Sequence, residues 1–506
     1  MLSWLPRSVP FPGLLGRTLP TLGLLPFLAV ADPASRPAAV QPDPVEGVWA
    51  GTVTAPQGSV AELGLEFFRT KGGTLIFRLN FPEMFTHRVI FPIPVESDAA
   101  GNYTITPAFD LHLHRSDDRL TGTFGLGRLP VELHRGGSWP EPPPAPVHSA
   151  APAPLWRHDL GAPTWAPPVV AGDTIYVGTE RGAFHAVRAA DGGTVWTWSG
   201  PHRIDGAALV AGDRVYFIDG AVDLVCLDRL LGALVWRTPL YDAGLSGRPA
   251  PDNPTFNHRC ATPLLAEGVL YAGSSDGGIY ALEASTGKKL WRHDAHAPVF
   301  SGIARDGEDI LAFGTMDGSA ILLNRHTRRE LLRVKTGGGV VTTPLLAAGC
   351  LIVGSRDYEL HAFHLPGGTE AWRYSYWFSW VESSPVLCDG LIYVGASDYR
   401  RVTVLEPATG KVRWSTEVHG MNWGTPLVTA NRVFTGTVNQ NIPGTAIMHT
   451  AGLLALDRAC GTVLWQLVLP KSAEGGFAGF AGSLALAGDK VIAAGFDGGL
   501  YAFPAN

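Results

Sequence analysis

Five glycines, Gly273, Gly314, Gly354, Gly395 and Gly436, return at intervals of 40 or 41 residues in the second part of the chain, and Gly178 and Gly495 stand in the same setting at wider intervals on either side. After most of them comes a second glycine with a tryptophan four residues on, as in Gly192…Trp196, Gly232…Trp236, Gly287…Trp291, Gly368…Trp372, Gly410…Trp414 and Gly461…Trp465. The period is about 40 residues, enough for four short strands and their turns. The cleanest copy runs from Thr262 to Trp291. Its strands are expected at 263–266, 269–274, 279–283 and around Leu290-Trp291, separated by Glu267-Gly268, Asp276-Gly277 and Thr286-Gly287, where glycine accepts the positive φ of a tight turn. A single such sheet cannot bury both faces, so the copies must stack on one another. Residues 155–506 are therefore expected to form an all-β ring, an eight-bladed β-propeller. Blade 2 departs from the pattern, with Ile218-Asp219 in the glycine region. Blade 4 departs too, with Thr327 and Leu331 expected where Gly and Trp would stand.

The last copy stops after its third strand, at Leu500-Tyr-Ala-Phe503, and has no Trp strand of its own. A stretch of that type sits at the front of the array, Pro154-Leu-Trp156-Arg-His158. The N-terminal strand is expected to complete the final blade, closing the ring through main-chain hydrogen bonds and removing the exposed edges. Each Trp of a fourth strand is expected to pack across the seam to a neighbouring blade.

Upstream, Arg7 and Arg17 precede an apolar run at 19–28 that ends in Ala29-Val30-Ala31. This reads as a secretory signal peptide over residues 1–31, and so as an exported, periplasmic or extracellular protein. Pro20 and Pro26 break the run, which is too short to span a bilayer. No later segment approaches a transmembrane span. The first cysteine is Cys226, so the reading is not a lipoprotein. Five cysteines without CxxC spacing argue against a zinc ribbon or covalent haem, and most read as small core residues. After a linker at 32–44, residues 45–136 read as short strands opening on Gly47-Val-Trp49-Ala-Gly51. This stretch resembles small lipocalin-like antiparallel barrels, which serve as filled spacers or interaction modules or hold an apolar ligand. Residues 137–154 are rich in Pro and Ala and read as a semi-stiff linker. With 39 Lys+Arg against 45 Asp+Glu, the net charge of −6 leaves no electrostatic footprint for nucleic acid.

The sequence Ala281-Leu-Glu283-Ala-Ser-Thr286-Gly287…Trp291, with its variant Val404-Leu-Glu406-Pro-Ala-Thr409-Gly410…Trp414, resembles the tryptophan-docking repeat of pyrroloquinoline quinone (PQQ) propellers. That family includes quinoprotein alcohol dehydrogenases. It also includes non-catalytic propellers such as the lipoprotein of the outer-membrane barrel-assembly machinery. The dehydrogenases carry vicinal cysteines, calcium-binding side chains, a catalytic Asp and long inserted loops. Here no two cysteines are adjacent, and the large insertions are confined to 240–256 and 439–448. No residue takes over a catalytic, cofactor-binding or metal-binding role, so the resemblance is closer to the non-catalytic members. It implies no cofactor, with PQQ and Ca²⁺ entering only under the dehydrogenase alternative.

Propeller sites usually line the central channel, where the segments leading into each first strand converge. The leads rich in aromatic and ionisable residues contain Asp205, then His258 and Arg259 beside Cys260, then Trp380 and Glu382, then Asn422 and Trp423. Asp205, Arg259 and Glu382 read either as mutually paired channel charges or as a ligand clamp. Trp380 and Trp423 read as packing, as a stacking floor for a planar ligand, or as a grip on a partner chain. His258 with Cys260 makes a poor metal site. The aromatic run at 374–380 is expected to be partly exposed and to mark a protein contact. The expected function is a non-enzymatic exported propeller that binds or scaffolds protein partners, possibly in cell-envelope protein assembly. The alternatives are a PQQ- and Ca²⁺-dependent oxidoreductase with an atypical site, or a small-ligand role for the N-terminal barrel.

Overall fold

The computed structural model describes residues 43–84, 86–91, 93–106, 110–125, 129–137, 139, 148–241, 261–440, 450–470 and 476–506. The signal segment and most of the first linker lie outside them. Among the described residues no helix is long and apolar enough to cross a membrane. The chain divides into two compact units.

The first unit is a nine-stranded antiparallel sheet: β1 (Gly47–Thr54), β2 (Val60–Arg69), β3 (Leu75–Phe81), β4 (Thr86–Phe91), β5 (Glu96–Ser97), β6 (Asn102–Ile105), β7 (Leu111–Ser116), β8 (Arg119–Phe124) and β9 (Leu129–Arg135). Its strand order is β4-β3-β2-β1-β9-β8-β7-β6-β5, and no ladder joins the two end strands among the described residues. Alternation explains its inner face: Leu63, Leu65 and Phe67 are buried while Glu62 is exposed. Trp49, fully buried, donates its indole N–H to the Val45 carbonyl at 2.7 Å, while Arg135 covers its ring at 4.4 Å. The Gly-x-Trp-x-Gly opening thus places a large ring at the centre of this core and satisfies its one polar atom.

Among the described residues the second unit contains eight sheets, seven of four strands and one, blade 7, with a fifth short strand (Phe477–Gly479) added, which is the expected ring of blades. Blade 1 spans Val169–Ala171 to Thr194–Ser199 and blade 2 spans Leu209–Ala211 to Leu234–Pro239. Blade 3 runs from Leu264–Ala266 to Lys289–Asp294, blade 4 from Ala304–Asp306 to Glu330–Lys335, and blade 5 from Leu345–Ala347 to Glu370–Ser375. Blades 6 and 7 start at Val386–Cys388 and Leu427–Val428 and end at Val412–Glu417 and Val463–Val468. Within each blade, strands A to D run from the inside outward in chain order. Blade 8 takes strands A to C from Ala485–Ala487, Lys490–Ala494 and Gly499–Pro504, and its fourth strand from Trp156–Asp159. The closing register is antiparallel, Trp156 opposite Ala502 and Asp159 opposite Gly499. The N-terminal strand therefore fastens the ring.

The seams show what the Gly and Trp positions do. The Trp156 indole lies 2.7 Å from where a Cβ on Gly192 would be, and its Nε1 donates to the Ala189 carbonyl at 3.2 Å. The pattern repeats with Trp196 on Gly232 and the Arg229 carbonyl, Trp236 on Gly287 and the Ala284 carbonyl, Trp372 on Gly410 and the Pro407 carbonyl, and Trp414 on Gly461 and the Arg458 carbonyl. Each indole lies flat on the next blade's turn glycine, where any side chain would collide, and satisfies its N–H on the same turn.

Blade 4 shifts by one from the sequence reading. Leu332, not Leu331, faces Leu322 in the ladder position that Trp291 holds opposite Ala281. Arg328, not Thr327, stands at the turn-glycine position, with φ 61°. Leu332 and Val334 pack on Gly368 of blade 5 in place of an indole, and the Arg328 guanidinium lies 5.8 Å from the Trp291 ring centre. With neither Gly nor Trp to anchor it, this copy offers no landmark from which to count.

The strand B glycine serves a different contact. A Cβ on Gly178, Gly273, Gly314, Gly354 or Gly436 would collide with Ile204, Val299, Val340, Val381 or Phe480, each in the lead to the next blade. The missing side chain lets that lead press against the sheet, which fixes the next residue along as the one that turns into the channel.

Candidate functional site

That next residue lies four positions before the first residue of each strand A. Counting back gives Trp165, Asp205, Cys260, Phe300, Val341, Glu382, Trp423 and Ala481. All but Cys260, which lies outside the described residues, line one central cavity of about 250 Å³. His258 and Arg259 also lie outside the described residues. Asp205 and Glu382 were legible as ionisable residues in the leads. Trp165 and Phe300 were missed, although both occupy the same counted position.

The two channel carboxylates belong to the leads of blades 2 and 6, half a ring apart. Each already has a guanidinium partner. Arg203 Nε lies 2.5 Å from Asp205 Oδ2, and Arg203 also faces Glu180 at 3.6 Å. Arg356 places Nε and a terminal nitrogen 2.9 and 2.7 Å from Glu382 Oε1. This is the paired-charge arrangement rather than two bare acids. Burial pushes the Asp205 carboxyl up to about 7 against the pull of Arg203, and its Oδ1 has no hydrogen-bond partner.

The aromatic side of the channel is packed against itself. Trp423 stacks on Trp165 with centroids 5.5 Å apart and rings inclined by 23°, and Phe477 meets both edge-on. Their indole N–H groups donate to Ser397 Oγ at 2.7 Å and Glu180 Oε1 at 2.5 Å. Trp380 is half-buried beneath the Arg356 guanidinium, 4.6 Å from its ring centre. Asn422 stands one residue short of the channel position. Its Oδ1 fills the space over Gly395, and its amide donates to Thr435 Oγ1 and to the Gly436 carbonyl at 2.8 Å. It occupies the place that Val299, Val340 and Val381 take over the glycines of blades 3, 4 and 5. The run at 374–380 is more buried than expected: Tyr374, Tyr376 and Trp377 are each 9% exposed or less. Tyr374 and Tyr376 meet edge-on, 5.0 Å apart, in packing rather than as an open contact face.

Exposed apolar groups occur elsewhere. Leu230 and Leu231, in the strand C to D turn of blade 2, are 77% and 76% exposed, with Leu234 and Val235 exposed beside them. Both turn amides donate to Asp228 Oδ1 at 2.9 Å, so the pair is held outward on a fixed loop. The same turn positions carry Ser285-Thr286 in blade 3, Ala408-Thr409 in blade 6 and Ala459-Cys460 in blade 7.

A profile of the PQQ-type repeat family described as outer membrane protein assembly factor BamB matches residues 147–251, 198–301, 275–377 and 359–506. The chain belongs to this family. Among curated relatives, the outer membrane protein assembly factor BamB of Yersinia pestis is 24% identical over 265 residues, covering 48% of this chain and 61% of that protein. The quinoprotein alcohol dehydrogenase PedH of Pseudomonas putida is 32% identical over 108 residues, 19% of this chain and 18% of that one. Both matches span less than two thirds of the relative. The crystal structure of the quinohemoprotein alcohol dehydrogenase from Comamonas testosteroni superposes with a TM-score of 0.53 at 15% identity, covering 70% of this chain and 76% of that one. That likeness concerns the fold alone.

Proposed function

We propose that this chain is an exported, non-catalytic propeller that binds or scaffolds other proteins during cell-envelope protein assembly. The observation that carries this reading is the Leu230-Leu231 pair. Two adjacent leucines in water on a braced turn do nothing for the fold and cost solubility, which is how a protein contact is marked. Membership of the BamB family supports the setting. Glu382 and Trp423 then line the channel beneath a partner, with Trp380 under the Arg356 guanidinium that holds Glu382, and Asn422, buried against Gly395, holds the lead that carries Trp423. The N-terminal unit acts in this reading as a lipocalin-like barrel, a spacer or second contact. Affinity capture from an envelope extract tests the proposal. Leu230→Ser with Leu231→Thr should lose the captured partner while Trp380→Ala, Glu382→Ala and Trp423→Ala weaken its recovery. Capture unchanged by all of them contradicts the proposal.

The quinoprotein alternative fits the residues poorly. Pockets for ligands of that size measure roughly 300–1,000 Å³. This cavity is smaller, and the Trp165–Trp423 stack already fills the face on which a planar quinone would lie. Glu382 Oε1 is held by two nitrogens of Arg356, a cation where calcium would need an open oxygen. Addition of PQQ and Ca²⁺ should give no binding and no dye-linked alcohol oxidation.

A further inference from the structure

The last stretch of the proline-rich linker is tied to the ring. The Gln466 amide, on the fourth strand of blade 7, donates to the Ser149 carbonyl at 2.9 Å, and the Ala151 amide donates to the Gln466 carbonyl at 3.1 Å. Ala150 and Gln466 thus form a parallel bridge, and residues 148–151 lie as a strap along the outer edge of that blade. Among the described residues the next main-chain tie is at Leu155, whose amide donates to the Ala502 carbonyl at 2.8 Å. Two hydrogen bonds are a weak hold on a strap that must stay ordered against its own entropy, so its side-chain contact matters.

That contact is between two histidines. His148, at the head of the strap, places Nε2 3.4 Å from Nε2 of His419, which stands two residues past the fourth strand of blade 6, Val412–Glu417. The ring centres are 5.6 Å apart. On the other side of its ring, His419 Nδ1 lies 2.8 Å from Glu417 Oε1. An ionised carboxylate only accepts, so Nδ1 carries a proton and the Nε2 of a neutral His419 is a bare acceptor. His148 Nε2 then supplies the N–H between the rings. With a proton on His419 Nε2 instead, that N–H donates to a bare His148 Nε2. Either way one N–H bridges the pair. When both rings are charged, two N–H groups and two cations face each other at this distance. The polar neighbours offer no relief. Thr450 donates its amide and hydroxyl to the His419 carbonyl at 2.8 and 3.2 Å, and Gln466 Nε2 donates to Thr450 Oγ1 at 3.3 Å. Among the described residues the acid acting on His148 is Glu417, on the far side of His419. Burial and then the His419 charge hold the His148 imidazole below its ordinary 6.5, against the pull of Glu417.

We propose that residues 148–151 are an acid-released latch, held at neutral pH by the single N–H between His148 and His419 and opened when both rings carry a charge. A released His148 titrates at its ordinary 6.5, while the docked ring resists the proton. Docking is therefore full above 6.5 and is lost as pH falls through the lower value of the docked ring. One linked proton weakens docking by up to about tenfold per pH unit. On release, residues 148–154 join the free linker and add about 20 Å to its extended reach. The amide and carbonyl of Gln466 become an open strand edge at the same moment. Acid thus lengthens the tether in front of the ring and leaves the ring itself closed.

Hydrogen exchange on the full chain, followed by mass spectrometry between about pH 5 and 7.5 and corrected for the pH dependence of free amides, reads the latch. Protection of the Ala151 and Gln466 amides should fall about tenfold or more from the upper to the lower value. The neighbouring strand of the same blade, Gly452–Asp457, should keep its protection. His148→Gln retains a donor and an acceptor for His419 without a titrating ring, and His419→Asn removes the facing charge. Both variants should give a flat profile across the range. Wild-type protection that does not change with pH overturns the proposal, and so does an acid loss as steep in both variants as in the wild type.

Discussion

The seams and the channel of this ring are built on opposite principles. At the seams the blades agree: an indole lies on a glycine and donates to a carbonyl of the same turn at five junctions, with little variation. In the channel the same counted position holds Trp165, Asp205, Phe300, Val341, Glu382, Trp423 or Ala481. Repetition marks what every blade needs to stand beside its neighbour. Departure from the repeat marks positions released from that duty, and the Leu230-Leu231 turn belongs with the channel in this respect.

The strongest way to break this division is to remove the closing strand. Deleting residues 155–160 uncovers the edge Gly499–Pro504 and separates the two ends of the ring. The expected outcome, read by calorimetry and size-exclusion chromatography, is loss of the single cooperative melt and appearance of aggregates. A single seam is a smaller target. Trp196→Ala should cost about 3–5 kcal/mol in urea unfolding. Leu332→Ala, at the seam built without an indole, should cost less, about 2–3 kcal/mol.

The channel side predicts a pH effect. The Asp205 carboxyl, ordinarily near 3.8, is pushed up to about 7 by burial although Arg203 opposes the shift. Folded chains therefore keep a proton that unfolded chains release between these values. The resulting contribution to stability is full below about pH 4 and is lost as pH rises through 7. Asp205→Asn should flatten the fall in melting temperature over that window, with Glu180 still beside Arg203. The smallest effect concerns Arg328, whose φ of 61° suits glycine. Arg328→Gly relieves the left-handed backbone but gives up the contact with Trp291 and frees the unfolded chain, so a net gain of about 0.5 kcal/mol is expected in urea unfolding.

The ring was legible in the sequence wherever Gly and Trp punctuate it. The unfinished last copy and the stray Leu155-Trp156 at the front were enough to place the closing strand. Blade 4 was misread by one residue because Arg328 and Leu332 carry neither landmark. Asp205 and Glu382 could be placed at the channel because their side chains stand out among small residues. Trp165 and Phe300 required the count back from strand A, which depends on observed strand starts. The burial of the 374–380 run was missed because an aromatic stretch looks the same in sequence whether it packs inward or faces solvent.

The division between repeated and departing positions is tested most directly by the urea midpoints of two variants side by side, Trp372→Ala and Leu230→Ser/Leu231→Thr. The first removes an indole seated on Gly410, and the second alters only exposed side chains. A clear fall for Trp372→Ala, with the midpoint of the leucine variant unchanged or raised, is the predicted result. A fall in the leucine variant as large as that of Trp372→Ala would mean that the departing turn also holds the fold, and would contradict the account.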